Sequence, residues 1–168
     1  TDTSGICTML MPEKLVVIFV PNQQSLTGVS ELAKRAVEYR KLSDDLRPLV
    51  IFPLPSRIEA NQPDLREQWR KGNPDEQIQG YQNQFEALLA QVYGLSNCNL
   101  QDYFDNIQIQ HIPYYAYGEK IAVQLERSED SLSIAKSYVS FADRLIYLSS
   151  PWDILDEFIN KENIPFYL

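Results

Sequence analysis

Two apolar runs on either side of one amphipathic stretch most constrain this chain. Residues 14–20 read Lys-Leu-Val-Val-Ile-Phe-Val and stop at Pro21; residues 49–52 read Leu-Val-Ile-Phe and stop at Pro53. Continuous runs rich in Val, Ile and Phe suit strands covered on both faces, as in parallel sheets. Between them, from about residue 25 to 42, apolar side chains recur at helical spacing: Leu26, Val29, Ala33, Ala36 and Val37, with the ring of Tyr39 or the stem of Arg40. Glu31, Lys34, Arg35, Glu38 and Lys41 are left for water. Asn22 or Ser25 is positioned to cap the helix, and residues 43–48 break it. Strand, helix, strand makes a βαβ unit. Ligands of such sheets bind outside the carboxyl ends of the strands, here residues 21–25 and 53–57.

The remaining pattern extends this α/β reading. Residues 6–11 are apolar nearly all round and read as a short helix under the sheet. Residues 61–72 read as a helix with Pro63 in its first turn, Gly72 at its end, and Leu65 and Trp69 on one face. After a turn at 73–76, residues 78–93 form a second clear amphipathic helix. Its stripe is Ile78, Tyr81, Phe85, Leu88, Leu89 and Val92, closed by Gly94. Residues 100–104 read as one helical turn. Residues 107–112, Ile-Gln-Ile-Gln-His-Ile, alternate strictly and predict a strand near the sheet edge, ended by Pro113. Residues 114–118 follow it, and 119–125 read as a short helix. Ser131 is the expected cap of the last long helix, with the stripe Leu132, Ala135, Val139, Ala142 and Ile146. Ser150-Pro-Trp-Asp153 resembles a capping box opening a final helix. The expected fold is therefore α/β, a parallel sheet flanked by helices in three layers. A helical insertion spans about 61–104 of a domain covering 1–150, and 151–168 is a terminal helix or the start of a linker.

Charge and cysteine usage exclude several roles. The chain has 168 residues and a net charge of -8, so it lacks the basic face of a general nucleic-acid or membrane-surface binder. Cys7 and Cys98 are far apart and lie in no C-x-x-C motif. That argues against a disulfide framework or structural zinc and for a reducing, cytoplasmic compartment. No run approaches the length of a transmembrane helix. The chain begins at Thr1, and a parallel sheet of two or three strands is left half-covered, so the sequence reads as a piece of a longer protein.

No stretch carries a complete catalytic set. There is no G-x-x-x-x-G-K-[ST], no G-x-G-x-x-G and no G-x-S-x-G, and His111 is the only histidine. His111 stands either near a ligand at a strand end or hydrogen-bonded near the core. Asp44 and Asp45 read as a solvated turn, at the sheet end opposite the ligand edge. Arg57, with Ser56 beside it, lies beyond the carboxyl end of a buried strand. It suits a phosphate, ribose or base contact, or a local salt bridge to Glu59. Tyr114, Tyr115 and Tyr117 either cover a planar ligand or pack on one another. Asp2, Thr3, Ser4 and Gly5 precede a helix and suit an anion or a plain capping loop.

Over residues 1–28, Thr-Asp-Thr-Ser-Gly-Ile-Cys-Thr-Met-Leu-Met-Pro-Glu-Lys-Leu-Val-Val-Ile-Phe-Val-Pro-Asn-Gln-Gln-Ser-Leu-Thr-Gly, and 47–57, Arg-Pro-Leu-Val-Ile-Phe-Pro-Leu-Pro-Ser-Arg, the chain resembles the C-terminal half of a MinD/ParA-like P-loop NTPase. It is most similar to the bacterial subgroup with a KGGVGR-like P-loop. The later strand and helix, 107–112 and 132–148, also fit. The resemblance implies ATP binding and slow Mg²⁺-dependent hydrolysis, often with a nucleotide-controlled homodimer. The P-loop supplies the phosphate and metal contacts, and it is absent from this chain. By the same resemblance, Asp2, Thr3, Ser4 and Gly5 match the end of the switch region. Pro55, Ser56 and Arg57 match the loop at the adenine, and His111, Ile112, Pro113 and Tyr114 the next strand-end loop. Many members place an Asn at the end of the strand matching 49–52; here Pro53-Leu-Pro-Ser-Arg57 stands there, so base recognition is rearranged. A non-catalytic scaffold or oligomerisation domain of a signalling protein is the alternative expectation, with Trp69 and Trp152 marking partner faces. A flavodoxin-like or receiver domain fits less well, because it needs an acidic cluster or phosphate loop at its switch point.

Overall fold

The computed structural model describes residues 9–45, 47–118, 120–126 and 133–153. In chain order these form β1 (Lys14–Phe19), α1 (Gln23–Lys41), β2 (Val50–Pro55), α2 (Pro63–Lys71), a 3-10 turn (Pro74–Glu76), α3 (Tyr81–Tyr93), α4 (Gln101–Asn106), α5 (Pro113–Gly118), α6 (Ala122–Leu125) and α7 (Ile134–Tyr147). The class is mixed α/β. Asp2, Thr3, Ser4, Gly5, Cys7, Ser131, Leu132 and the terminal segment from residue 154 lie outside the described residues, as does the first half of the helix expected at 6–11.

The central unit forms as its pattern dictates. β1 and β2 pair in parallel, from Lys14 opposite Val50 to Phe19 opposite Pro55. Asn22 caps α1: its Oδ1 accepts from the Ser25 N–H at 2.8 Å. Leu26, Ala33, Ala36 and Val37 are buried, and Arg40 rather than Tyr39 completes the stripe. The Arg40 guanidinium, 4% exposed, donates to the carbonyls of Met9, Pro12 and Arg47 and lies 3.6 Å from Asp45. A buried charge needs such partners, and these fasten the segments leading into both strands.

Helices cover the two faces of the sheet unequally. On one face Phe19 meets the rings of Tyr81 and Phe85 of α3 at 5.3 and 5.2 Å, and α1 packs on both β1 and α3. On the other, Lys14 runs over the Phe52 ring and donates to the carbonyls of Leu145 and Leu148 at the end of α7. This satisfies acceptors that a helix C-terminus leaves free.

The strand expected at 107–112 is reduced to a single parallel bridge, Ile58 with Gln110. The cause lies in β2. Backbone groups alternate edges along a strand, and Val50 and Ser56 give their N–H groups to the β1 side. Leu49, Ile51, Pro53 and Pro55 therefore face the outer edge, where the two prolines have no donor. Tyrosine hydroxyls take the rest of that edge. Tyr93 Oη accepts from Ile51 N at 3.0 Å and donates to Leu49 O at 2.8 Å, and Tyr103 Oη donates to Pro53 O at 2.9 Å. Only past Tyr103 does the later segment reach β2. Ile109 N bonds Pro55 O, Ile58 N bonds Ile109 O, and His111 N bonds Ile58 O, at 2.9 to 3.0 Å.

Other departures have local causes. α3 starts at Tyr81 rather than 78, because Ile78 pairs with Asn73 across the 3-10 turn. Gly80, at φ 79, then passes so close to Gly72 that a Cβ would lie 2.5 Å from its nitrogen. Residues 114–118 are helical, with Pro113 as first residue, and α6 begins only at Ala122. Ser133 caps α7, accepting from Lys136 N at 3.0 Å. The stripe expected on α7 is overturned past Ala135. Val139 and Ile146 are exposed, while Phe141 and Arg144 turn inward. Arg144 pairs with Asp102 and lies 5.5 Å over the Tyr103 ring, both on α4, which sets the rotation of the helix. The half capping box at 150–153 forms, with Ser150 N bonding Asp153 Oδ2 at 2.8 Å.

Candidate functional site

A cleft of about 120 Å³ opens at the carboxyl ends of both strands. Val20 and Pro21, just past β1, form one side. Arg57, Ile58 and Glu59, just past β2, form the floor, and Gln62, Leu65, Arg66 and Trp69 form the wall. The wall is one face of α2, since these positions recur three and four apart. It is held rigidly from behind. Arg70, 3% exposed, donates to Gln82 Oε1 of α3 at 2.9 Å and to Gln101 O at 3.0 Å, and pairs with Asp105 at 2.7 Å. Burial opposes ionisation of Asp105, but the hydrogen bonds from Arg70 and Gln101 outweigh it and hold the carboxyl below its ordinary value.

Of the residues matched to the base-side loops, Arg57 alone lines this cleft. It is exposed and sits at φ 57, in the left-handed region. A non-glycine residue there carries strain of about 1–3 kcal/mol, a feature that concentrates at functional sites. Pro55 is buried, and its carbonyl accepts from Ile109 N. Ser56 closes the ladder by donating its N–H to Phe19 O at 2.8 Å. His111 Nδ1 lies 2.8 Å from Glu59 Oε1. Glu59 thus pairs with the histidine rather than with Arg57, and ties the 109–111 segment to the cleft floor.

Pro113 and Tyr114 are exposed and stand apart from the lining. Lys120 Nζ sits 3.9 Å over the Tyr114 ring. Tyr115 Oη donates to Glu126 Oε1 at 2.7 Å, and that carboxylate pushes the phenol above its ordinary value. Tyr117 is exposed. Tyr114 and Tyr115 engage each other and their neighbours, and none of the three tyrosines lines the cleft. Asp45 is held by Arg47 in a surface turn, as its position in the sequence implies.

The chain matches no known protein family, curated protein or solved structure in any of three comparisons. The cleft is therefore read on its own chemistry. Its volume lies below the roughly 300–1,000 Å³ of sites that enclose a whole small ligand, so it holds part of a small ligand rather than all of one. Among the described residues no group of three His, Cys, Asp or Glu side chains is placed to hold a metal ion. Among them too, no helix is long and apolar enough to cross a membrane.

The lining residues that the sequence does not single out are Val20, Ile58, Gln62 and Arg66, while Pro21 lies in the expected ligand edge. The signal for two of them was available: Gln62, Leu65, Arg66 and Trp69 share one helical face, and that face mixes an aromatic ring with polar groups. What the pattern does not convey is that Arg70 and Gly80 fold that face back onto the strand ends.

Proposed function

We propose that the chain is part of a cytoplasmic, ATP-binding and ATP-hydrolysing regulatory NTPase of the MinD/ParA type, and supplies the base-side wall of its nucleotide site. The observation that carries this reading is a cleft at the carboxyl ends of parallel strands, with strained Arg57 in its floor and His111 joined to that floor through Glu59. Ligands of open α/β sheets bind at this end. The described residues fit the base end alone. A P-loop elsewhere in the complete protein would supply the phosphate and Mg²⁺ contacts, and a homodimer would form through the nucleotide face.

The test is ATP turnover by the complete protein, with its P-loop lysine substituted as the control. Arg57→Ala is expected to raise KM about tenfold, the loss of one charge-assisted hydrogen bond, with kcat little changed. Turnover that survives the lysine substitution, or a complete protein that binds no ATP, overturns the reading.

One observation favours the second reading, a non-catalytic interaction domain. Tyr138, Val139, Ile146 and Tyr147 leave an apolar face of α7 exposed, and such faces mark contact surfaces.

A further inference from the structure

We infer that the cleft takes the purine ring of the nucleotide, with Trp69 as its stacking wall and Arg66 as a donor to a ring nitrogen. This rests on the nucleotide reading above and assigns recognition to α2, which the resemblance left without a role. The strand end offers little for reading a base: residues 53–56 are Pro-Leu-Pro-Ser, with no side-chain amide and two positions lacking an N–H. The opposite wall offers a matched set. Trp69 and Leu65 present apolar surface to a flat ring, and stacking on an aromatic side chain is a general mode of base binding.

Arg66 decides between a plain apolar dent and a recognition site. Its Nε is shut off from solvent and has no hydrogen-bond partner among the described residues. The Nε itself is closed to a ligand, so a ring nitrogen of a purine entering the cleft would be met by the terminal nitrogens of the same guanidinium, whose residue lines the cleft. The acceptor comes from Glu59. His111 occupies its Oε1, which leaves Oε2 to accept from an exocyclic amino group. Aromatic wall, ring-nitrogen donor and carboxylate acceptor together match the edge of adenine, which pairs acceptor nitrogens with an amino donor. Trp69 is preorganised for this, since its neighbour Arg70 is locked to α3 and α4.

The test uses the complete protein and calorimetric titration with ATP, adenosine and inorganic tripolyphosphate. Trp69→Ala is expected to weaken ATP and adenosine at least about fivefold. Trp69→Phe, which keeps a ring, loses less, and Arg66→Met weakens both adenine ligands. All three variants bind tripolyphosphate as the parent does, a result that a general loss of structure would not give. If ATP binds and Trp69→Ala leaves its affinity unchanged, or if ATP and tripolyphosphate weaken together, the inference fails and the nucleotide reading stands. If the unsubstituted protein binds none of the three, the nucleotide reading fails and the inference with it.

Discussion

The two edges of β2 are satisfied by different chemistry. Toward β1 the partner is backbone, along a parallel ladder of six residue pairs. Toward the outside the partners are the hydroxyls of Tyr93 and Tyr103, two prolines with nothing to donate, and one bridge. A backbone ladder tolerates most side-chain exchanges, because every residue but proline supplies the same groups. An edge closed by side chains depends on particular residues. The difference also explains the width of the described sheet. The segment 107–112 has a strand's alternation, yet it joins β2 only where the tyrosines end.

Removing one hydroxyl from the side-chain edge is the most direct way to break this contrast. Tyr103 is 1% exposed, so Tyr103→Phe leaves the Pro53 carbonyl buried and unpaired. The expected cost is about 1–3 kcal/mol in urea unfolding. Tyr93→Phe strands Ile51 N–H and Leu49 O, but Tyr93 is half-buried. Water then replaces part of the loss, and the expected cost is nearer 1 kcal/mol. On β1, Ile18 is exposed, and Ile18→Thr should stay within about 0.5 kcal/mol. If all three cost the same, the two edges are energetically alike and the contrast falls.

A third buried tyrosine sharpens it. Tyr81 is fully buried between Phe19 and Phe104, and its hydroxyl has no partner among the described residues. Burial, the largest cause, raises its phenol well above the ordinary value. Tyr81→Phe removes an unmet polar atom and keeps the ring contacts. The expected result is no loss of stability, or a gain of up to about 1 kcal/mol, at an unchanged urea m-value. A loss as large as that of Tyr103→Phe would mean that burial of the ring edge, rather than the hydroxyl's partner, governs both sites.

These contrasts bear on what the sequence makes legible. Both strands, the helix between them and its Asn22 cap follow from periodicity, because local spacing and tertiary burial agree there. The end of the sheet that carries the cleft follows from the order of strands and helix alone. The short reach of the third strand is not legible, because nothing local in 107–112 conveys that the facing edge is already taken by Tyr93 and Tyr103. The buried face of α7 is hidden for a similar reason. Arg144 turns inward to meet Asp102 and the Tyr103 ring, a long-range pairing that overrides the apolar spacing of Val139 and Ile146. Arg57 was found by its place after a strand. Arg66 and Trp69 come to line the cleft only when Gly80 and Arg70 return α2 to the strand ends.

The smallest effect belongs to the surface turn at Asp45, where the acceptor is a side chain in water instead of a carbonyl in the interior. The Arg47 guanidinium bonds both carboxyl oxygens, at 3.0 and 2.8 Å, and the Arg47 N–H adds a third bond at 3.0 Å. Led by the side-chain bond, these lower the Asp45 carboxyl from 3.8 to about 2. The folded value lies below the unfolded one, so the turn's contribution is complete above the unfolded value and is lost as pH falls through the folded one, from about 4 to about 2. A carboxyl NMR titration is expected to place the Asp45 midpoint near 2, and Arg47→Met to return it toward 3.8. Asp45→Asn should flatten the stability profile across that window and leave the profile below it unchanged. A midpoint near 4 in the unsubstituted chain would show that solvent screens these bonds completely. Side-chain closure would then stabilise this fold only where water is excluded, as at the outer edge of β2.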